Sequence, residues 1–419
     1  MTSYGSPDGV VHARTAADVA GAVDRIRDSG TSLTVRSGGH SVARHSAADG
    51  GPLLDLGGLD DVRVLDSATG LVRLGAGATW GRVADRLAPH GLAISSGDTR
   101  SVGVGGLALG GGIGWMVRRY GLTIDAVVGA EIVTADGRVR TVDADDDPDL
   151  FWALRGGGGN VGVVTSLDVV AAPVSTVVRG TISYDLSDPA ALLRGWRDHL
   201  LSSDERLSSI VMLIPETPLG PAHVLVEWCF AEPDRVAAER AASRLRTLGP
   251  VVADEVGVVP YADVLDDRVM PEGMQVAMRN AFVPSLTDAC LDDTLALRSG
   301  APTVLSIRGM GGAVDRVAPE ATAFAHRAAE AMVVVARMAP PGAPTPSLDG
   351  PSDDWDAVAR HGTGAYVGFL SQDDSASVAA AYPPATYARL AAVKRVYDPG
   401  NLFRRNHNVA PERPVVPTL

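Results

Sequence analysis

"GDTRSVGVGGLALGGGIGWM", Gly97 to Met116, carries eight glycines between Gly97 and Gly114. Glycine loses more conformational freedom on ordering than any other residue, so neither a helix nor a strand is expected through this density. The stretch reads as a loop whose backbone must lie close to something. A shorter run stands upstream in "VRSGGHSVARH", Val35 to His45. There the apolar Leu33-Thr34-Val35 reads as a strand that enters Arg36, Ser37, Gly38, Gly39, His40 and Ser41. Consecutive N–H groups without Cβ atoms form anion-binding nests. Two such loops suit a diphosphate approached from two sides. A turn needs its glycines but not His40, so that residue reads either as a solvent-facing turn histidine or as chemistry.

The rest of the chain bounds the answer. Its 419 residues are enough for two or three domains, and 46% are apolar. A formal net charge of −13, with no clustered Lys/Arg run, argues against a nucleic-acid binder or a membrane-surface binder, which need basic patches. No apolar run approaches the roughly 18 residues of a membrane span, and no charged segment followed by an apolar one opens the chain. Cys229 and Cys290 are the two cysteines, too few for a disulfide framework. A cytoplasmic chain is the expectation.

Periodicity places the loops. Residues 15–29 read as a helix, with Thr15 as cap and Gly30 as stop. Residues 62–66 and 71–75 alternate as a hairpin, and so do "AVVGAEIVTADG" and "RVRTVDA". Asp147-Pro148 starts a helix with Pro at its first position. Beyond about residue 176 glycine thins. Longer strands such as "SIVMLIP" and "HVLVEWCFA" alternate there with helices, among them 233–247, and predict an α+β domain with an antiparallel sheet. Alternation along "HVLVEWCFA" puts Val224, Val226 and Trp228 on one face, which reads as core. Residues 342–354 read as a Pro/Gly-rich surface loop.

Several chemistries are excluded. "GGGNVG", Gly157 to Gly162, matches G-x-G-x-x-G, but a helix precedes it and a strand follows, the reverse of a dinucleotide-binding βα turn. No glycine loop closes with Gly-Lys-Ser/Thr. Nine scattered histidines and no Cys/His cluster assign no metal site.

Four stretches then occur in order: "RSGGHS" (Arg36–Ser41), "GDTRSVGVGGLALGGGIGWMVRRYGLTID" (Gly97–Asp125), "DLFWALRGGGGNVGVVT" (Asp149–Thr165) and "YDPGNLFRRNHNV" (Tyr397–Val409). Together they resemble the FAD-linked oxidases of the vanillyl-alcohol-oxidase superfamily, in the berberine-bridge-enzyme-like, 6-hydroxy-D-nicotine-oxidase-like branch. The resemblance covers roughly 10–176 and 380–419. It implies an α+β fold: a two-subdomain PCMH-type FAD-binding domain over 1–176, completed by 381–419, and a substrate-binding domain over 177–380. The latter would carry a large antiparallel sheet flanked by helices.

The resemblance also implies roles. His40 would bond covalently to the flavin. Thr99 stands where many relatives carry a cysteine making a second link, so a single link through His40 is expected. Val102 falls where the family controls access of oxygen, and valine there resembles the oxidases. Cofactor contacts would come from Arg36, Ser37, Gly38, Gly39 and Ser41, from Gly97, Gly103, Gly106, Gly112 and Gly114, from Asn160, Gly162, Val163 and Val164, and from Asn406 and Asn408. Tyr382, just ahead of the "YDP" segment, and Tyr366, in "GAYVGFL", are the candidate bases; Pro383-Pro384 and Thr386 depart from the family's pattern after Tyr382. Arg279 and His361 are read as surface residues that could face the pocket. The expected activity is an FAD-dependent oxidase taking hydride from a small alcohol, amine or natural-product intermediate and passing electrons to O2. A non-redox, cyclase-like flavoprotein is the alternative. Neither the substrate nor the oligomeric state is readable.

Overall fold

Thr15 opens the first helix by a reciprocal cap. Its hydroxyl accepts from the Asp18 N–H while the Asp18 carboxylate accepts from the Thr15 N–H. The helix Ala16–Ser29 then runs to Gly30, left-handed at φ 71°, and buries Val19, Ala22, Val23 and Ile26. In the computed structural model, which describes residues 8–48, 50–217, 220–266, 274–299, 302–348 and 355–411, this helix packs beside two small sheets. One is parallel, in the order Gly9–His12, Pro52–Asp55, Thr34–Arg36. The other is antiparallel, in the order Val62–Asp66, Leu71–Gly75, Val163–Val170, Val127–Val133, Val139–Asp143. A common core joins them and takes in Leu390, Val393, Phe403 and Val409 from the C-terminal segment.

The third sheet is antiparallel and larger. Its order is Val251–Pro260, Thr176–Tyr184, His223–Phe230, Leu207–Ile214, Val304–Gly309, Ala331–Ala339, Gln275–Val283. One face buries Val178, Ile182, Val211, Val226, Trp228 and Ile307 under helices that include Pro189–Ser202, whose Leu193 and Trp196 are fully buried. Trp228 is therefore core. The opposite face presents Arg179, Glu227, Ile210, Arg308, Val334 and Asn280 in adjacent registers toward the glycine segment.

Two expectations need correction. The glycine run does contain a helix, Val104–Gly110. Tertiary bonds hold it where propensity would not: Val104 N–H donates to Ala78 O at 2.8 Å and Gly105 N–H to Ala76 O at 3.0 Å. The predicted helix 233–247 is broken. Arg235–Ala241 is α-helical, and the chain tightens to a 3₁₀ segment over Ser243–Thr247 after Ala242 reaches ψ −1°. Residues 349–354 of the predicted Pro/Gly-rich loop lie outside the described residues. Among the described residues no helix is long and apolar enough to cross a membrane, and no group of three or more His, Cys, Asp or Glu side chains could hold a metal.

Candidate cofactor and substrate site

The two glycine loops meet backbone to backbone. A methyl group on Gly103 would fall 2.2 Å from the Gly38 nitrogen and 2.2 Å from Ser37 Oγ. Ser37 Oγ donates to Ala76 O at 2.6 Å, the carbonyl that also receives Gly105 N–H. Glycine is thus required at 38 and 103 by the approach of another backbone. Gly97 and Gly112 have positive φ, 118° and 80°, and a Cβ on Gly112 would strike Thr123. Gly114 packs on the nitrogens of Ser96 and Gly97, and Gly162 on Ile132 and Val133 O.

The nest expected of these loops divides between them. Val104 and Gly105 spend their amides on the protein. In the other loop, the N–H groups of Gly38, Gly39, His40 and Ser41 make no hydrogen bond among the described residues. Four consecutive open donors suit the oxygens of a diphosphate. Other polar atoms of the same domain are also unmatched. Ser46 Oγ, Ser101 Oγ and Asn406 Oδ1 are buried without a partner. Gly106 has no atom within 4 Å of a would-be Cβ. Buried polar groups ordinarily find partners, so these residues fit a polar, phosphate-bearing group.

His40 is open to solvent on one side. The protein on its other side keeps the imidazole below its ordinary pKa by burial, with a backbone hydrogen bond to Ser101 pulling the other way. Ser101 belongs to the second glycine loop, so His40 faces the junction. Arg36 is turned elsewhere: its Nε donates to Asp55 at 2.9 Å across the parallel sheet. Thr99 pairs as an isolated bridge with Asp266, and Val102 is half-buried against the core.

The remaining candidates fall into two groups. Asn160 is a buried tie: its Nδ2 donates to Gly157 O at 2.8 Å and His407 O at 3.2 Å, and its Oδ1 accepts from Val409 N–H at 2.9 Å. It joins the segment leading into Val163 and Val164, both buried strand residues, to the C-terminal tail. Tyr382 stands against Asn160, and burial pushes its phenol above the ordinary value. Asn408 accepts from Lys394 Nζ at 3.2 Å. Tyr366 stands apart, between the glycine loop and the large sheet. Its hydroxyl accepts from the Gly112 N–H at 3.3 Å, and burial pushes its pKa to about 12. The structure therefore places Tyr382 in the core beside the tail and Tyr366 between the layers. Arg279 pairs with Gln372 at 2.9 Å and His361 with Asp293 at 2.8 Å.

Sequence reasoning missed Asp98 and Arg308. Asp98 follows Gly97, and its carboxylate accepts from Arg308 on the large sheet. Burial would raise the Asp98 pKa, but the Arg308 charge and hydrogen bond outweigh it and lower it. The Arg308 guanidinium lies 5.2 Å over the Phe369 ring, and its Nε has no partner. A signal existed: alternation in "VLSIRG" sends Leu305 and Ile307 to the core and Arg308 to the other face.

Open amides beside a histidine, orphaned hydroxyls and a glycine-only junction facing a polar sheet form a setting that a phosphate-bearing cofactor would satisfy. A family model described as an FAD binding domain matches residues 7–143, and one described as berberine and berberine like matches 365–410. The chain is 34% identical over 428 residues to (R)-6-hydroxynicotine oxidase of Paenarthrobacter nicotinovorans, with 97% of this chain and 92% of that protein covered. The solved structure of 6-hydroxy-D-nicotine oxidase from Arthrobacter nicotinovorans is similar at TM-score 0.84 and 32% identity, covering 97% of this chain and 93% of that one. Physcomitrella patens BBE-like 1 shares the fold at TM-score 0.87 and 22% identity, over 98% and 92% of the two chains. The chain belongs to the berberine-bridge-enzyme-like family of PCMH-type FAD oxidases and is an FAD-linked oxidoreductase.

Proposed function

We propose that the chain is an oxidase of a small amine or alcohol, with FAD attached through His40 alone and O2 as electron acceptor. The observation that carries this reading is the junction of the two glycine loops beside His40. The diphosphate would lie on the open amides of Gly38 to Ser41, with Asn406, whose Oδ1 has no partner, as a further polar contact and Asn160 and Asn408 holding the C-terminal tail in place behind it. When bound, the flavin supplies the redox chemistry, accepting a hydride and passing electrons to O2; the protein supplies orientation and exclusion of water. A neutral imidazole, which burial favours at His40, has the free lone pair that a covalent link requires. Thr99 has no thiol for a second link, and Val102 stands on the loop where oxygen would arrive. We assign residues 1–176 with 381–419 to the cofactor domain and 177–380 to the substrate domain, because the large sheet begins at Thr176.

An amine suits the cleft better than an alcohol. Alcohol oxidation removes an O–H proton along with the hydride, and so needs a base with a pKa near the working pH. Tyr366, at about 12, remains a phenol near neutrality, and Asp98 is engaged by Arg308. A free-base amine loses hydride from the adjacent carbon with no proton to surrender. The relative named above oxidises 6-hydroxynicotine, which is consistent with this. No observation favours the cyclase-like reading.

Acid denaturation of the purified protein tests the link. Yellow colour should stay with wild-type polypeptide and leave it in His40→Ala. Colour lost from wild type would overturn the covalent assignment. Anaerobic mixing with a panel of secondary amines and primary alcohols tests the substrate class: amines should bleach the flavin band, and bleaching by alcohols alone would reverse that assignment.

A further inference from the structure

A groove lies on the helical side of the large sheet, away from the flavin cleft. Its wall includes His199, Ser203, Val236, Ala237, Arg240 and Arg244. The residues converge for a simple reason. Val236, Ala237, Arg240, Ala241 and Arg244 recur at three- and four-residue spacing along Arg235–Ala241 and the 3₁₀ turn after it, so they share one face. The end of Pro189–Ser202 supplies the opposite wall.

Two cations of the wall stand outside its ion pairs. Asp204 is engaged by Arg206, at 2.6 Å, and Asp234 caps its helix by accepting from the Ala237 N–H at 2.9 Å. Arg206 is matched a second time by Glu232 at 2.9 Å. Arg240 and Arg244 have no acidic partner among the described residues. Two unmatched guanidinium groups facing one groove stand out in a chain of net charge −13. Behind them His199 is 3% exposed, and its Nε2 has no hydrogen-bond partner. Burial, helped by the charges of Arg244 and Arg118, holds it neutral well below its ordinary pKa. A buried, unmatched ring nitrogen costs free energy that a ligand atom in the groove would recover. Val236, 80% exposed, with Ala237 and Ala241, adds a small apolar floor.

We propose that this groove binds a small organic anion, its carboxylate or phosphate held by Arg240 and Arg244 with a hydrogen bond from His199, and its apolar body on Val236 and Ala237. Such an occupant would act as an effector rather than a substrate. Ser203, in the groove wall, accepts from Arg118 Nη1 at 2.7 Å, and Arg118 also donates to Leu207 O at 2.8 Å. Arg118 follows the glycine segment by four residues after Gly114. The groove wall is therefore bonded to a buried guanidinium on the helix Val117–Tyr120, which directly follows the glycine segment.

Calorimetric titration of the flavin-loaded protein with inorganic phosphate and, separately, with hexanoate tests the site. Saturable binding of either is expected, tighter for hexanoate. Arg240→Ser and Arg244→Ser should each weaken it at least tenfold, while Arg235→Ser, whose side chain pairs with Glu239 instead, leaves it unchanged. Wild type without saturable heat from either anion would overturn the proposal. So would an Arg240→Ser/Arg244→Ser double variant that binds like wild type. The flavin spectrum, recorded alongside, verifies that each variant is folded.

Discussion

Gly103 caps the helix Val104–Gly110 and Gly106 stands three positions on within it, and the two should answer differently to the same substitution. Gly103→Ala drives a methyl group into the Gly38 backbone, which has nowhere to go. It should cost about 3 kcal/mol or more and, on the cofactor assignment proposed above, leave the protein without incorporated flavin. Gly106→Ala meets open space, and alanine is the better helix former by about 1 kcal/mol. Apoprotein melting should hold or rise, while the flavin-to-protein ratio falls if, as proposed above, the cofactor fills that open space. Equal destabilisation of both apoproteins would refute this account. Lys394 offers another single-residue test. It is wholly buried, 3.2 Å from the buried Asp398 carboxylate and 2.7 Å from Phe403 O. Lys394→Met strands that carboxylate and should cost about 3–5 kcal/mol in urea unfolding. Burial lowers the lysine pKa to about 8. Between pH 8 and about 10.4 the unfolded chain therefore holds this proton more tightly, and the lysine's contribution to stability rises with pH there. Wild type should gain stability relative to Lys394→Met from pH 8 to pH 10. At this scale His40 and the glycines were readable because their types are unusual for their local setting. Asp98 and Arg308 were not: each looks ordinary beside its neighbours, and only folding brings together residues 210 positions apart.

Between elements, register decides what a residue type means. Trp228 sits across from Gly180, and its ring covers that glycine so closely that a Cβ there would lie 2.1 Å from the indole. Gly180→Ala should therefore destabilise by about 3 kcal/mol and shift the tryptophan emission. The double variant Gly180→Ala/Trp228→Phe should recover part of that loss relative to the sum of the single changes. Strict additivity would mean that the two side chains do not meet. Strand alternation put Trp228 on the core face, but nothing local names its partner. The same limit explains the helix errors. Apolar spacing continues through "AAERAASRLRTLG" without a break, so the change to a 3₁₀ turn after Ala242 leaves no mark. At Val104–Gly110 the local preference is against a helix, and bonds to Ala76 and Ala78 override it. The two prolines after Tyr382 read as a departure. In the structure Pro383 caps and Pro384 starts the helix Pro384–Tyr397, where a missing N–H costs nothing.

For the molecule as a whole, the buried histidines set the acid limit. Burial lowers the pKa values of His45, His199, His326 and His407, with His199 at about 4. An unfolded histidine titrates near 6.5, so between pH 6.5 and 4 the unfolded chain takes up protons that the folded chain refuses. Stability is held above 6.5 and lost as the pH falls through that window, by about 3 kcal/mol for His199 alone at its lower end. The urea midpoint should drop steeply from pH 7 to pH 5, and His199→Gln should shallow the slope. A midpoint that rises on acidification would contradict the burial of these rings. The sheets, their antiparallel hairpins and the family with its FAD chemistry were already written in short-range signals: alternation, caps, and glycine where a side chain cannot fit. Such signals act within a few residues and survive in any context. What needed the folded chain were the pairings between distant segments. These are Gly38 against Gly103, Asp98 on Arg308, Tyr366 on Gly112, and Arg240 and Arg244 left without acids. Each depends on which surfaces burial brings face to face, and that is a property of the whole packed chain rather than of any stretch within it.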